Sequence, residues 1–164
     1  MNNEKLMERT LVLLKPDAVE RSLTGSIIQR FESAGLKIVG MKMVWVDEGF
    51  SKQHYSDHIS KPFYPALETF ITAGPVIAMA IEGVQVVDLV RKMVGSTEPR
   101  KASPGTIRGD FAHHSYEYAD TKGIAIKNLI HASDSVENAG KEVSLWFKPE
   151  ELHTYKTVHE THVF

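Results

Sequence analysis

His131 and Glu142 are the two side chains of this sequence best suited to covalent chemistry. His131 follows an apolar stretch that ends at Ile130, and Glu142 lies in the helical stretch that comes next. A free imidazole titrates near pH ~6.5, so at pH 7 it is largely neutral and one ring nitrogen offers a lone pair. A carboxylate that accepts a hydrogen bond from the other nitrogen would orient the ring.

Reversible transfer of a phosphoryl group fits this pair. A phosphoryl group on a ring nitrogen forms an energy-rich phosphoramidate that is easily passed on, whereas a serine ester would be too stable for reversible exchange. The alternative is that His131 only completes the hydrogen bonding of a strand. Spacing alone favours that simpler interpretation.

Other polar side chains stand at the ends of predicted elements, where they could converge on one ligand. The sequence contains neither G-x-x-x-x-G-K-[ST] nor G-x-G-x-x-G, so a nucleotide site would have to be built from side chains rather than from a glycine-rich loop. The candidates are Lys15, Arg91, Thr97, Arg108 and Asn128.

Short strands and helices alternate along the chain. Apolar and β-branched runs predict strands over residues 9–14, 36–46, 75–82 and 124–130. Helical spacing and cap residues predict helices over residues 27–34, 51–58, 66–72, 86–94 and 136–146. The order predicts one domain over 1–164, an α/β (α+β) sandwich of the ferredoxin-like kind, βαββαβ, with an added helical hairpin. Residues 96–123 are predicted as a loop and 148–164 as a C-terminal tail.

Composition narrows the class of protein. A chain of 164 residues is long enough to bury one core without disulfides, and it contains no cysteine. The formal net charge of −2 and the lack of a basic run make a nucleic-acid partner a poor first hypothesis. No apolar run approaches the ~18 residues of a membrane span, and the polar N-terminus is unlike a signal peptide. We therefore expect a cytoplasmic protein with no membrane partner.

Several motifs, in the same order, resemble those of nucleoside diphosphate kinases. The resemblance covers nearly the whole chain and is carried by the stretches at 10–17 (TLVLLKPD), 74–76 (GPV), 97–99 (TEP), 104–111 (PGTIRGDF), 128–135 (NLIHASDS) and 141–147 (KEVSLWF). Each motif alone is a weak signal. Their joint occurrence in order is specific to the family and makes the catalytic interpretation of His131 the stronger one.

The resemblance implies a role for each matched residue. It implies that His131 is phosphorylated, that Glu142 orients it with Ser133 as a hydrogen-bond partner, and that Lys15 belongs to the catalytic group. Positions that hold the phosphates and sugar of a nucleotide match Lys15, Tyr55, Arg91, Thr97, Arg108 and Asn128. Phe63 matches the aromatic residue that stacks on the base, a contact that every base can make.

The resemblance also implies the reaction and the partners. A nucleoside triphosphate would phosphorylate His131, and a nucleoside diphosphate would then take the phosphate in a ping-pong cycle. Mg²⁺ would be held mainly by the phosphates, with no metal ligand from the protein. Residues 147–152 resemble the C-terminal segment of hexameric members, so we expect a homo-oligomer built from dimers, a hexamer. The rival hypotheses are a phosphocarrier charged by a protein partner and a non-enzymatic nucleotide-binding module.

Two features remain outside this scheme. Residues 112–127 form a longer segment than most members have before the asparagine, and no site residue is assigned there. His54 and His58 stand at i, i+4, a spacing that can bind zinc, but they lack the glutamate and the third ligand of a catalytic zinc site. We therefore interpret both as surface histidines.

Overall fold

The computed structural model describes residues 6–163 as a small sheet covered by helices on both faces. The strands are β1 (Met7–Leu14), β2 (Lys37–Trp45), β3 (Pro75–Val84) and β4 (Ile130–Ala132). The α-helices are α1 (Pro16–Glu20), α2 (Thr24–Ser33), α3 (Glu48–His54), α4 (Tyr64–Thr72), α5 (Val86–Val94), α6 (Ile107–Phe111), α7 (Tyr116–Lys122), α8 (Val136–Trp146) and α9 (Glu160–Val163). Single 3₁₀ turns lie at Ser56–His58, Pro99–Lys101 and Pro149–Glu151.

The sheet has the order β2-β3-β1-β4, and each neighbouring pair of strands is antiparallel. With its covering helices this is the predicted ferredoxin-like α/β arrangement, which is confirmed. The central strand β1 is buried on both faces: Val12 and Leu14 belong to one core cluster, and Leu11 and Leu13 belong to the other. Burial on both faces explains why the run from Leu11 to Leu14 is apolar at every position instead of alternating.

The pairing of β1 with β4 positions the chemistry. In this register Leu13 faces His131 and Leu14 faces Ile130. Because the strands are antiparallel, the end of β1 that leads into Lys15 lies beside the beginning of β4. Lys15 and His131 therefore reach the same edge of the sheet.

Several predicted boundaries are wrong, for local reasons. The last strand covers only Ile130–Ala132, because residues 124–128 are not paired with β1. The segment predicted as a loop over 96–123 contains α6 and α7, each begun by a hydroxyl side chain, Thr106 and Ser115, that accepts a hydrogen bond from the backbone. Helix α3 begins after Asp47 instead of at Ser51, because the Asp47 carboxylate accepts from the Phe50 amide.

The C-terminal tail is tied to the sheet. The His153 amide donates to the Val39 carbonyl at 2.7 Å, and Lys37 of β2 pairs with Glu160 at 2.9 Å. Among residues 6–163, none of the helices is long and apolar enough to cross a membrane.

Candidate active site

A cleft of about 670 Å³ opens at the edge of the sheet where β1 ends and β4 begins. Its lining joins residues that are far apart in sequence. The predicted site residues on its wall are Lys15, Tyr55, Phe63, Arg91, Thr97, Arg108, Asn128 and His131. Glu142 and Ser133 are not on the wall and lie behind His131, where both are bonded into one network.

His131 is held by one ring nitrogen. Its Nε2 lies 3.0 Å from both carboxylate oxygens of Glu142, and the Ser133 hydroxyl donates to that carboxylate at 2.5 Å. Glu142 comes from α8, which begins at the Ser135 cap. Since a carboxylate accepts, Nε2 carries the proton and Nδ1 keeps its lone pair. Nδ1 has no hydrogen-bond partner among residues 6–163, and the ring lies on the wall of the cleft.

His54 is a site residue that sequence reasoning missed. The interpretation of His54 as a surface histidine is wrong: its ring lies 4.9 Å from the His131 ring in an edge-to-face contact, and its Nδ1 accepts from the Trp146 indole at 3.1 Å. Burial, with His131 nearby, lowers the pKa of His54 to about 2, so it stays neutral. The only sequence signal is the i, i+4 spacing of Phe50 and His54, which places both on the face of α3 that contacts Trp146.

One group of side chains has the composition of a metal site. Ligand atoms of His54, His131 and Glu142 lie within 4.8 Å of one another. Two nitrogens and one oxygen suit zinc better than Mg²⁺, which prefers oxygen ligands. His58, which stands at i, i+4 from His54, is exposed and does not belong to this group. An ion bound there would compete for the carboxylate that orients His131.

Lys15 and Asn128 form a buried hydrogen-bonded pair on the wall of the cleft. The Lys15 Nζ donates to Asn128 Oδ1 at 2.8 Å, and Asn128 Nδ2 donates to the Thr97 carbonyl at 2.9 Å. Burial, together with the positive charge of Arg108, lowers the pKa of Lys15 to about 8, while Asp17 opposes that shift. The ammonium is therefore held in place and is close to its titration range at neutral pH.

Arg108 braces the backbone around this pair. Its Nε donates to the Asn128 carbonyl at 3.1 Å, Nη1 to the Gly95 carbonyl at 3.0 Å and Nη2 to the Ile130 carbonyl at 2.5 Å. Burial, with Arg91 nearby, lowers the pKa of Arg108 to about 10, so it remains charged at neutral pH. A guanidinium has five N–H groups, so two remain available to a ligand in the cleft.

The other end of the cleft is open and aromatic. Phe63 is 54% exposed and lies 5.7 Å from the His58 ring. Tyr116 and Ala119 of α7, and the residues that follow α7 up to Ile126, also line the cleft.

Tyr55, which lines the cleft too, is buried. Its hydroxyl has no hydrogen-bond partner among the described residues, and burial raises the pKa of that hydroxyl.

Comparison with known proteins identifies the family. The sequence profile of nucleoside diphosphate kinases matches residues 8–152. The chain belongs to the nucleoside diphosphate kinase family.

Curated relatives and solved structures agree with this assignment. The nucleoside diphosphate kinases of Pyrococcus furiosus and Pyrococcus horikoshii are 55% and 57% identical, over 91% and 90% of this chain and 88% and 90% of their own lengths. A nucleoside diphosphate kinase of Borrelia burgdorferi, solved as a transition-state mimic with bound vanadate and ADP, superposes with a TM-score of 0.94 at 43% identity, covering 97% of this chain and 98% of that one. A nucleoside diphosphate kinase of Halobacterium salinarum, solved in complex with CDP, superposes with a TM-score of 0.84 at 39% identity. The match covers 96% of this chain and 98% of that one.

The segment over 112–127, to which no site residue was assigned from the sequence, lines the cleft. Its helix α7 is closed by Gly123, whose φ of 62° lies in the left-handed region that glycine tolerates best. Residues 116–126 contribute much of the open wall of the cleft. In this member of the nucleoside diphosphate kinase family the longer segment is therefore part of the site.

Proposed function

We propose that the protein is a nucleoside-diphosphate kinase that carries the transferred phosphoryl group on Nδ1 of His131. The observation that supports this most strongly is the pair of 3.0 Å contacts between Glu142 and Nε2. Because Nε2 is occupied, Nδ1 is the nucleophile left to the cleft. Glu142 and Ser133 fix the ring, as required of an imidazole that must attack along one direction.

Each half of the cycle exchanges one bond for another. The Nδ1 lone pair attacks the terminal phosphorus of a nucleoside triphosphate, the N–P bond forms, and the P–O bond to the leaving diphosphate breaks. The ring gains positive charge, which the Glu142 carboxylate balances through the Nε2 proton. A terminal phosphate oxygen of a second nucleoside diphosphate then attacks the same phosphorus, a new P–O bond forms, the N–P bond breaks, and its electron pair returns to Nδ1, which leaves the ring neutral.

The remaining wall residues bind the nucleotide in this proposal. Lys15 and Asn128 hold the ribose hydroxyl near the transferred phosphate, while Tyr55, Arg91, Thr97 and Arg108 act on the phosphates. Phe63 stacks on the base. Preorganised charge of this kind is the main source of rate in phosphoryl transfer. Mg²⁺ is bound by the phosphates of the nucleotide, since the oxygen-rich ligand set it prefers is the triphosphate itself.

We propose a homo-oligomer, a hexamer built from dimers. Strand β2 is an edge strand, and it exposes Met41, Met43 and Trp45, which are 56%, 62% and 67% exposed. An exposed apolar edge of this kind supports pairing with another copy. Light scattering on the purified protein measures the mass directly. The proposed compartment is the cytoplasm, where nucleoside triphosphates are abundant.

One assay separates this function from its rivals. The protein is incubated with ATP, GDP and Mg²⁺, and formation of GTP is followed by chromatography. A nucleoside-diphosphate kinase makes GTP with every turnover. A phosphocarrier charged by a protein partner, or a module that only binds nucleotides, makes none.

A further inference from the structure

Leu129 adopts a backbone conformation that its side chain disfavours. Its φ is 68°, in the left-handed region, and the side chain is fully buried. For a residue with a Cβ this conformation costs roughly 1–2 kcal/mol. Leu129 lies between Asn128, whose side chain reaches into the cleft, and the strand that carries His131. Something must hold the turn formed by residues 128–130, which we call the Leu129 turn.

The hydrogen bonds of the Leu129 turn identify what holds it. The Leu129 amide donates to Asp17 Oδ2 at 3.1 Å, and the Leu129 carbonyl accepts from the Lys15 amide at 2.8 Å. The two flanking carbonyls accept from Arg108. Asp17 is thus the one carboxylate bonded to this turn among the described residues.

Asp17 is also a buried carboxyl group that acts electrostatically on two buried cations, Lys15 and Arg108. It is 7% exposed and is not among the residues that line the cleft. The charged and titratable groups that act on it or respond to it are Lys15, Arg108 and His114. Burial raises the pKa of Asp17 above its ordinary value, and Lys15 opposes this. In return Asp17 favours the charged forms of Lys15 and Arg108.

We propose that Asp17 is a positioning residue: its carboxylate holds the Leu129 turn, and its negative charge offsets that of the buried cations Lys15 and Arg108 on the wall of the cleft. The two roles act on different parts of the site. The hydrogen bond fixes where Asn128 and His131 enter the cleft. The charge offsets the burial of the Lys15 ammonium. The consequence for turnover rests on the proposed kinase function, whereas both structural roles can be measured without it.

Two substitutions separate the roles. Asp17→Asn keeps an oxygen that can accept from the Leu129 amide but removes the charge. Asp17→Ala removes both. Asp88→Asn is the matched control, because Asp88 pairs with Lys92 on the surface of α5 with both side chains 72% exposed.

The charge is tested by the titration of Lys15, followed through its side-chain NMR shifts. In Asp17→Asn the pKa of Lys15 falls below the wild-type value near 8, and in Asp88→Asn it does not move. A fall of one pH unit lowers the protonated fraction at pH 8.5, and with it kcat/KM, by about eightfold relative to wild type. An unchanged Lys15 titration in Asp17→Asn would overturn the role of the charge.

The hydrogen bond is tested by amide exchange. The Leu129 amide exchanges faster in Asp17→Ala than in Asp17→Asn or wild type, and equal protection in all three proteins would overturn the role in the turn. If wild type makes no GTP but both readouts behave as described, the kinase proposal fails and the role of Asp17 stands.

Discussion

The two ends of the cleft, which we call the phosphate end and the base end after their proposed roles, are built differently. At the phosphate end Lys15, Arg108 and Asn128 are almost fully buried and are bonded to one another or to the backbone next to β4. At the base end Phe63 and Tyr116 are about half exposed, at 54% and 45%, and belong to short elements on the rim.

This difference separates chemistry from recognition. Charge that is buried and fixed before the substrate arrives stabilises a transition state without reorganisation. An open aromatic surface gains from stacking on any base and discriminates little among bases. The phosphate end is therefore suited to a reaction that is the same for all nucleotides, and the base end to accepting many of them.

The largest effect is expected from Arg108→Ala. The loss of a preorganised donor lowers kcat on the order of 10²–10³. The melting temperature also falls, because three backbone carbonyls lose the Arg108 donor and a buried carbonyl left without any donor costs about 1–3 kcal/mol. Arg91→Ala is the matched control: Arg91 is exposed, so activity drops while the melting temperature stays within a degree or two. Equal melting temperatures of the two variants would mean that the hydrogen bonds of Arg108 do not stabilise the fold.

Phe63→Ala tests the base end. It weakens nucleotide binding by ~1–3 kcal/mol through the lost stack and leaves the single-turnover rate at saturating nucleotide nearly unchanged. Binding is measured by calorimetry and the rate by rapid quench. A large fall in the saturated rate, with binding intact, would place Phe63 in the chemistry and remove the distinction between the two ends.

The pH dependence tests the phosphate end without mutation. As Lys15 loses its proton, kcat/KM falls above about pH 8, by tenfold for each further unit. The contribution of Lys15 to folding stability has the opposite pH dependence. The folded pKa of Lys15 lies below the ordinary lysine value of 10.5, so the cost of burying the ammonium is present below pH 8 and is relieved as the pH rises toward 10.5. An activity that stays constant to pH 9.5 would contradict this.

The smallest effect is expected from Tyr116→Ala. Tyr116 lines the cleft and is partly exposed, so truncation raises KM for nucleotides by a few-fold, about 1 kcal/mol at most, with kcat unchanged. Tyr118→Ala is the control, since Tyr118 is 52% exposed and does not line the cleft. If the two variants behave alike, the longer segment over 112–127 contributes nothing to the base end.

More of the phosphate end than of the base end could be predicted from the sequence. Lys15 and Asn128 stand at or near the ends of predicted strands, so the strand pattern indicated that they could converge, and the pairing of β1 with β4 brings them together. The strands of the sheet and most helices were likewise predicted from apolar runs and helical spacing. Helix α7 was not predicted, because residues 112–123 are mostly polar and have no clear apolar period.

The features that escaped prediction depend on tertiary contacts. His54 has the local sequence of a surface helix residue, and contacts with Trp146, His131 and Tyr55 bury it. Leu129 gives no signal of a left-handed turn, since glycine or asparagine is the usual residue there. Such a turn is stabilised by Asp17, Lys15 and Arg108, which are distant in sequence.

Covalent labelling tests the central claim most directly. The protein is incubated with γ-labelled ATP and Mg²⁺ without an acceptor, and the label on the chain is mapped by mass spectrometry under alkaline conditions. The label resides on His131, is released by acid, and is chased into GTP when GDP is added. His131→Ala takes no label. If wild type makes GTP from ATP and GDP yet never carries label on His131, transfer is direct between two bound nucleotides and the covalent mechanism is wrong.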